Sequence, residues 1–501
     1  AHGQYSLFGD GHYYCSFPDI AETALQAHFL MLLHPKPKDV VLLGGGLNGF
    51  LIEACKHHLT KLSYVELDGQ LLDFLSPYLP QEDKEGLQLP AVSVIRRDGR
   101  RFIGDLADKS LDMVLLRLPE PQSAMLNRFY TVEFFQLLQQ KLKKGGIFVC
   151  SATGSANYLG DELSAYLGTM LSTLEHSFKQ VEVLPGDTCL FVAGDELAEI
   201  TLDIPKLSDR YKGRKVKSSR FSPLHVRLCV DSYRVADFRK KRKTLPKGLL
   251  NRDSSPLAYF HNLVLWDIFS ASGLKKFLSL IQKTKTTHVG LFVVVALFLA
   301  RLSFLLLKEK KHRVGSFVGV FMVCAGSASM VFHVTLLLVY QNLFGSIYQR
   351  LGLAVALFMA GLAGGGWFGR HILHLKKSPQ KIITLSKVAT IILMLLLPAI
   401  LVAGVPEWLL LLLIFLGGLL PGLEYPLTAA LAMRASLTAG QAGGLVHGSD
   451  VLGGACGAIV SSVVLVPILG FESSFYLLAL LHFSALILLL SMKELQSGES
   501  C

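Results

Sequence analysis

The sequence predicts two domains of different class: an α/β, Rossmann-like soluble domain, followed by an all-α membrane bundle of about seven helices. Three observations carry this. Before residue 286 the composition is mixed, and short apolar runs alternate with helical patterns. One of those runs, Val40 to Leu43, stops at Gly44-Gly45-Gly46. After residue 286 the chain is almost continuously apolar, in stretches close to the roughly 20 residues that cross a bilayer. A chain of 501 residues has room for both.

Residues 39–43 read as a buried parallel strand, because an unbroken apolar run suits a strand covered on both faces. A helical pattern follows through Phe50, Leu51, Ala54 and His57. Leu62 to Val65 is a second strand ending at Glu66, and Gln70 opens a second helix. Val92 to Ile95 ends at Asp98-Gly99, and Met113 to Leu116 ends at the turn Leu118-Pro119-Glu120-Pro121. A helix from Thr131 leads through Gly145-Gly146 to a fifth strand, Ile147 to Cys150. Val181 to Val183 and Cys189 to Val192 flank Pro185-Gly186-Asp187, which predicts an antiparallel hairpin at the sheet edge. The expected boundaries are 1–205 for this domain, 206–287 for a basic linker with an interfacial stretch (Tyr259 to Phe277), and 288–492 for the bundle.

The net charge of +11 is concentrated, with fifteen Lys or Arg in residues 206–247. No aromatic-interleaved binding module accompanies them, so a nucleic-acid surface is disfavoured against a polybasic segment at anionic lipid headgroups. The eight cysteines form no CxxC pair and have no metal-like spacing, which argues against a zinc site or a disulfide framework.

Ligands in doubly wound sheets sit at the carboxyl ends of the strands, near the switch point. Four features fall there: the glycine turn, Glu66, Asp98-Gly99 and the 117–121 loop. Gly44, Gly46 and Gly49 fit GxGxxG, and Glu66 lies at the distance expected for a ribose hydroxyl. A dinucleotide would suit those two features alone. The Asp-Gly after the third strand and the added hairpin favour an S-adenosylmethionine type of site, in which an Asp carboxylate accepts from the adenine amino group.

At these residues the chain resembles the spermidine/spermine synthase (polyamine aminopropyltransferase) family over roughly residues 3–200. The motifs are GGGLNG (44–49), YVELD (64–68), RRDGRRF (96–102), LRLPEP (116–121), FYTVEFF (129–135) and LKKGGIFV (142–149). LPEPQSAMLNRFYT (118–131) and LLNRDSSPLAYFHNLVLW (249–266) are similar to the bacterial branch fused to transmembrane helices. The resemblance implies an additional N-terminal β-sheet, of which Gln4 to Phe8 would be the end, and hence a missing upstream segment. It implies transfer of an aminopropyl group from decarboxylated S-adenosylmethionine to an amine, leaving methylthioadenosine, with no metal. Gly44, Gly45, Gly46, Glu66, Asp98 and Gly99 then correspond to the nucleoside side. The amine side departs from the pattern. Leu47 stands where the family has a turn aspartate, Thr23-Ala24-Leu25 where it has Tyr-His-Glu, and Arg117 and Glu120 where it has two loop aspartates. Glu120 remains as the candidate base, and Arg117 as a candidate substrate contact. Asn127, Arg128 and Tyr130 add polar groups on the same loop. A guanidinium about 4 Å from an ammonium costs roughly 4 kcal/mol at an effective dielectric of about 20, so Arg117 disfavours a putrescine dication unless it ion-pairs with Glu120 or Asp112.

Seven spans are expected, near 288–307, 314–340, 351–369, 382–404, 408–430, 448–469 and 473–491. The positive-inside rule, applied to the gaps between them, places the soluble domain outside; the basic segment before the first span argues the reverse, which leaves the side open. His333, Glu424 and Asp450 are polar groups within spans, and such groups mark function or interhelical bonding. Glu424 lies in Pro421-Gly422-Leu423-Glu424-Tyr425-Pro426, which reads as a broken helix. Gly361, Gly365, Gly453 and Gly457 are spaced for close helix packing.

The leading reading is a multi-pass protein of a bacterial inner membrane that transfers an aminopropyl or related group from an adenosyl sulfonium donor. The alternatives are an inactive transferase fold serving as a ligand sensor or as an assembly subunit of a membrane complex or homo-oligomer, and the regulatory domain of a transporter.

Overall fold

The computed structural model describes residues 4–9, 12–155, 159–270, 284–307, 310–345, 348–375, 378–402, 404–434 and 437–497. It divides into one unit of residues 1–253 and 257–266 and a second of residues 254–256 and 267–501.

The first unit opens with an antiparallel pair, β1 (Tyr5–Gly9) and β2 (His12–Phe17). Then follow α1 (Ile20–Leu32), β3 (Asp39–Leu43), α2 (Phe50–Cys55), β4 (Lys61–Glu66), α3 (Gly69–Leu75), α4 (Gln81–Leu87), β5 (Val92–Arg96) and α5 (Gly99–Asp105). The chain continues through β6 (Leu111–Leu116), α6 (Ala124–Asn127), α7 (Val132–Lys141), β7 (Leu142–Thr153), α8 (Asp161–Ser177), β8 (Gln180–Leu184) and β9 (Thr188–Gly194). The last helices of this half are α9 (Ile204–Gly213), α10 (Val226–Cys229), α11 (Ser232–Lys241) and α12 (Leu257–Ser270). The interfacial stretch expected to reach Phe277 passes beyond the described residues after Ser270.

The seven-stranded sheet has the order β5-β4-β3-β6-β7-β9-β8. Strands β3 to β7 are parallel, and the β8–β9 hairpin adds the expected antiparallel edge. Residues alternate between two cores because strand side chains point to opposite faces. Val41 and Leu43 enter a core shared with α7 and α8, whereas Val40 and Leu42 enter one shared with α1 and α2. The chain winds outward from β3 to β5 and returns to β6, so the switch point lies between β3 and β6. The glycine turn and the 117–121 loop leave the sheet side by side there.

Residues 206–253, expected as linker, belong to the first unit. Their arginines are used as hydrogen-bond donors inside it. Arg210 donates to the carbonyls of Leu32 and Leu33, and Arg214 to those of Met31, His34 and Pro35, closing the end of α1. Arg239 and Arg242 pair with Glu182 and Glu175. Arginine suits this use because its fork presents five donors.

The second unit is helical: α13 (Thr286–Leu306), α14 (Lys310–Phe344), α15 (Tyr348–His374), α16 (Pro379–Val402), α17 (Glu407–Arg434), α18 (Ala439–Val460), a π-helical stretch (Ser461–Leu469) and α19 (Gly470–Ser497). Six described helices are long and apolar enough to cross a membrane. The last, Ala439–Leu490, has 52 residues, about 78 Å at roughly 1.5 Å per residue. That is more than twice a hydrocarbon core of about 30 Å, and the chain reverses within it. Gly453 and Gly457 of α18 meet the carbonyls of Val323 and Ser327, so α18 runs alongside α14 in the same direction. Beyond Pro467 and Gly470 (φ 81°), Phe475 meets Phe332, and His482 then lies beside Lys387, which sits over Phe321. The sixth and seventh expected segments are the two limbs of this reversal. Gly361 and Gly365 let α15 approach the carbonyls of Phe415 and Leu419 on α17, the close packing their spacing predicts. The expected break around Glu424 is absent: α17 runs unbroken through Pro421 and Pro426.

Candidate functional site

Gly45 has φ 63°, which excludes most side chains, and a Cβ there would come within 2.9 Å of the Arg117 side chain. A Cβ on Gly46 would come within 2.8 Å of the Tyr64 ring. The Gly44 N–H donates to the Val65 carbonyl at 3.0 Å, and the Arg117 N–H to that of Leu43 at 2.9 Å, which stitches the turn between its neighbours. Leu47, in the position of the family aspartate, packs beside a small cluster of Phe17, Leu75 and Leu79. Asn48 donates to the Ser16 carbonyl at 2.9 Å. The N-terminus of α2 is closed by buried Asp83, whose Oδ1 accepts from the Gly49 N–H at 2.7 Å. Burial pushes the Asp83 carboxyl up.

Glu66 ends β4, half-buried, and accepts from the Tyr64 hydroxyl at 3.1 Å. Burial raises its pKa. Asp98 is buried at the start of α5; it accepts from the Arg101 N–H at 3.0 Å and pairs with Arg128, which is equally buried. Arg128 lies over the Phe129 ring at 4.9 Å. A Cβ on Gly99 would touch Leu43 at 3.0 Å. Gly44, Gly45 and Gly46, Glu66 and Asp98-Gly99, which the resemblance implies on the nucleoside side, thus lie at the carboxyl ends of three adjacent strands, β3, β4 and β5.

On the other side of the switch point the 117–121 loop splits its two charges. Glu120 turns to the α8 face, where Oε2 accepts from the Thr153 N–H at 2.9 Å and the Tyr166 hydroxyl at 3.3 Å. Arg117 turns to the α1 face. Its Cζ lies 4.2 Å from the Phe50 ring centroid, its Nη2 donates to the Gln26 side-chain oxygen Oε1 at 2.8 Å, and its Nη1 is buried without a hydrogen-bond partner among the described residues. Burial lowers its pKa to about 10, so it remains charged at neutral pH. Neither ion pair expected for Arg117 forms. Glu120 is separated from it by the turn at Pro119, and Asp112 is taken by Lys143 at 3.0 Å and by the N–H groups of Lys38 and Asp39. Arg117 borders a cavity of about 450 Å³ under α1, together with Leu25, Gln26, Phe29, Ser151 and Thr188.

The other polar residues of this loop are structural. Asn127 accepts from the Tyr259 N–H at 3.1 Å, and the Tyr130 hydroxyl donates to the Pro119 carbonyl at 3.1 Å. The LLNRDSSP segment explains itself here: Asn251 donates to the Tyr130 carbonyl, and Asp253 accepts from Arg100 and Thr131.

A buried network behind the site has no sequence signature. Arg214 donates to His57 Nδ1 at 2.8 Å, so the His57 proton sits on Nε2 and is donated to His28 Nδ1, also at 2.8 Å. His28 Nε2–H is then donated to Glu53 at 2.9 Å. Burial alone would raise the Glu53 carboxyl, but hydrogen bonds from His28 and Lys56 hold it down to about 2. Burial, with Arg214 adding to it, depresses His57 to about 2.

In the helical unit, Glu424 pairs with Lys387 at 2.7 Å and accepts from Ser386 at 3.0 Å, with His482 3.3 Å from the same ammonium. His333 stacks on Phe358 at 4.0 Å, and Asp450 lies against Gly326. The three polar groups singled out in the spans therefore face different neighbours. Among the described residues there is no cluster of metal-ligating side chains.

Residues 20–195 match the family described as "Spermine/spermidine synthase domain". A polyamine aminopropyltransferase from Aeropyrum pernix is 25% identical over 230 residues, covering 43% of this chain and 72% of that protein. One from Saccharolobus islandicus is 32% identical over 159 residues, covering 31% of this chain and 51% of that protein. A crystal structure of spermidine synthase from Thermotoga maritima aligns with a TM-score of 0.37 at 20% identity, covering 48% of this chain and 80% of that one. The chain carries a spermidine-synthase-type domain ahead of its helical region.

Proposed function

We propose that this spermidine-synthase-type domain binds an adenosyl sulfonium donor and transfers an aminopropyl-type group to an acceptor amine, on a protein held in a membrane by its apolar helices. The observation that carries the reading is the alignment of Gly44, Gly45 and Gly46, Glu66, and Asp98-Gly99 at three adjacent strand ends. Glu66 offers free lone pairs to ribose hydroxyls. Asp98 keeps an acceptor lone pair on each oxygen beyond the bonds it makes. The reaction is a displacement at carbon. The acceptor nitrogen lone pair forms the new N–C bond as the C–S bond breaks, and sulfur leaves as the neutral thioether of methylthioadenosine. The ammonium proton then needs a base. Glu120 is the carboxylate of the loop beside the switch point, and its bonds to Thr153 and Tyr166 fix its direction.

The test is release of methylthioadenosine by the full-length protein in detergent, supplied with sulfonium donor and a panel of primary amines. Glu120→Gln is expected to lower turnover by about 100-fold or more, the usual worth of a positioned base, while methylthioadenosine binding stays within about threefold. Binding without release across the panel, or release unchanged in Glu120→Gln, would overturn the transfer reading.

A further inference from the structure

The 450 Å³ cavity under α1 does not suit a diamine. None of its fourteen lining residues is acidic, and its one charged group is Arg117. A dication entering it would lose hydration, meet no carboxylate and face a guanidinium, an unfavourable arrangement.

The same features describe an anion site. The Arg117 guanidinium lies over the Phe50 ring and is anchored by the Gln26 side-chain oxygen through Nη2, which fixes the direction of its remaining edge. Nη1 is buried with no partner among the described residues, and leaving such a donor unpaired is costly. Gln26 in turn donates to Glu22 at 3.3 Å, so the nearest carboxylate on α1 reaches Arg117 only through the amide. Leu25, Phe29 and Leu116 supply apolar wall, and Ser151 and Thr188 supply hydroxyl-bearing residues.

We propose that Arg117 reads a carboxylate, so that the group bound in this cavity is an amino-acid-like chain rather than a simple amine. This rests on the adenosyl-site reading, because Arg117, which borders the cavity, also packs against Gly45 of the glycine turn. The carboxylate has two sources. It belongs either to the donor, which is then S-adenosylmethionine with its carboxyl group retained, or to the acceptor, which is then an amino acid. Arginine is suited to either, since its two N–H edges match a carboxylate in geometry.

Calorimetry on the full-length protein in detergent separates the cases. The donor arm compares S-adenosylmethionine with its decarboxylated form. The acceptor arm compares ornithine with putrescine on protein saturated with methylthioadenosine. In one arm the carboxylate-bearing ligand is expected to bind about 10- to 100-fold more tightly, the worth of a charged hydrogen bond. Arg117→Gln is expected to abolish that preference and Arg117→Lys to keep part of it, with methylthioadenosine affinity unchanged in both, which also shows that the variants fold. Methylthioadenosine binding with no carboxylate preference in either arm, or a preference that survives Arg117→Gln, overturns this inference alone. Failure of methylthioadenosine to bind the native protein removes the adenosyl-site reading and this inference with it.

Discussion

Acidification from pH 7 to pH 5 should loosen the first unit, because two buried histidines are held neutral. His34 is depressed from 6.5 to about 4, by burial first and by Arg214 and Arg210 beyond that, against the opposing pull of Asp112; its Nδ1 accepts from the Lys36 N–H at 3.1 Å. His57 is depressed from 6.5 to about 2, and a proton on its Nδ1 would face the Arg214 guanidinium. Both folded values lie below the unfolded one. The unfolded chain therefore binds more protons, and the stability present above pH 6.5 is lost as pH falls toward the folded values. From pH 7 to pH 5 each histidine should forfeit about 2 kcal/mol, or about 4 kcal/mol together. Glu53 adds its own loss only lower, as pH falls from 4.5 toward about 2. Hydrogen exchange on the full-length protein in detergent, corrected for intrinsic exchange, reads this locally at residues 20–34 and 50–57. The expected result is a fall in opening free energy of about 4 kcal/mol between pH 7 and 5, halved in His34→Asn. Unchanged protection over that interval, or an undiminished fall in His34→Asn, would refute the reasoning.

Two further outcomes follow from packing. Gly46→Ala drives a Cβ to within 2.8 Å of the Tyr64 ring, whose hydroxyl holds Glu66; overpacking of about 1–3 kcal/mol should weaken methylthioadenosine binding about 10- to 100-fold with the protein still folded, as binding assays on the variant would show. In the helical unit, Lys387→Met or Glu424→Leu alone leaves a buried charge unpaired and should cost about 3–5 kcal/mol, while the double variant recovers most of it; thermal unfolding of the four proteins in one detergent measures this.

The parallel sheet was legible because each strand is an apolar run that ends at a glycine or a carboxylate, and the hairpin because Pro185-Gly186-Asp187 separates two short runs. The placement of Gly44, Gly45 and Gly46, Glu66 and Asp98-Gly99 at strand ends was legible for the same reason. What the sequence hid depends on contacts between distant segments. Arg210, Arg214 and Arg220 look like a solvated basic stretch, yet they bind α1 carbonyls and Glu53. Asp83, which closes the glycine turn, sits among other charges on a short helix and has no local mark. Arg117 and Glu120 are three residues apart, and only the turn at Pro119 shows that they serve opposite faces of the sheet. Lys387, near the edge of its apolar segment, becomes the partner of Glu424 only once α16 and α17 are packed. The break expected at Pro421 and Pro426 fails because a neighbouring helix supports the segment, α15 packing against Gly418 and Gly422 through the carbonyls of Phe358 and Leu362.

We infer that the carboxyl edge of β3, β4 and β5 holds an adenosyl group. Calorimetric titration of the full-length protein with methylthioadenosine, beside Glu66→Ala, tests it most directly. One site per chain is expected in the native protein, with about 10- to 100-fold weaker binding in Glu66→Ala, the loss of a hydrogen bond to a charged acceptor. No binding by the native protein, or equal affinity in Glu66→Ala, would contradict it.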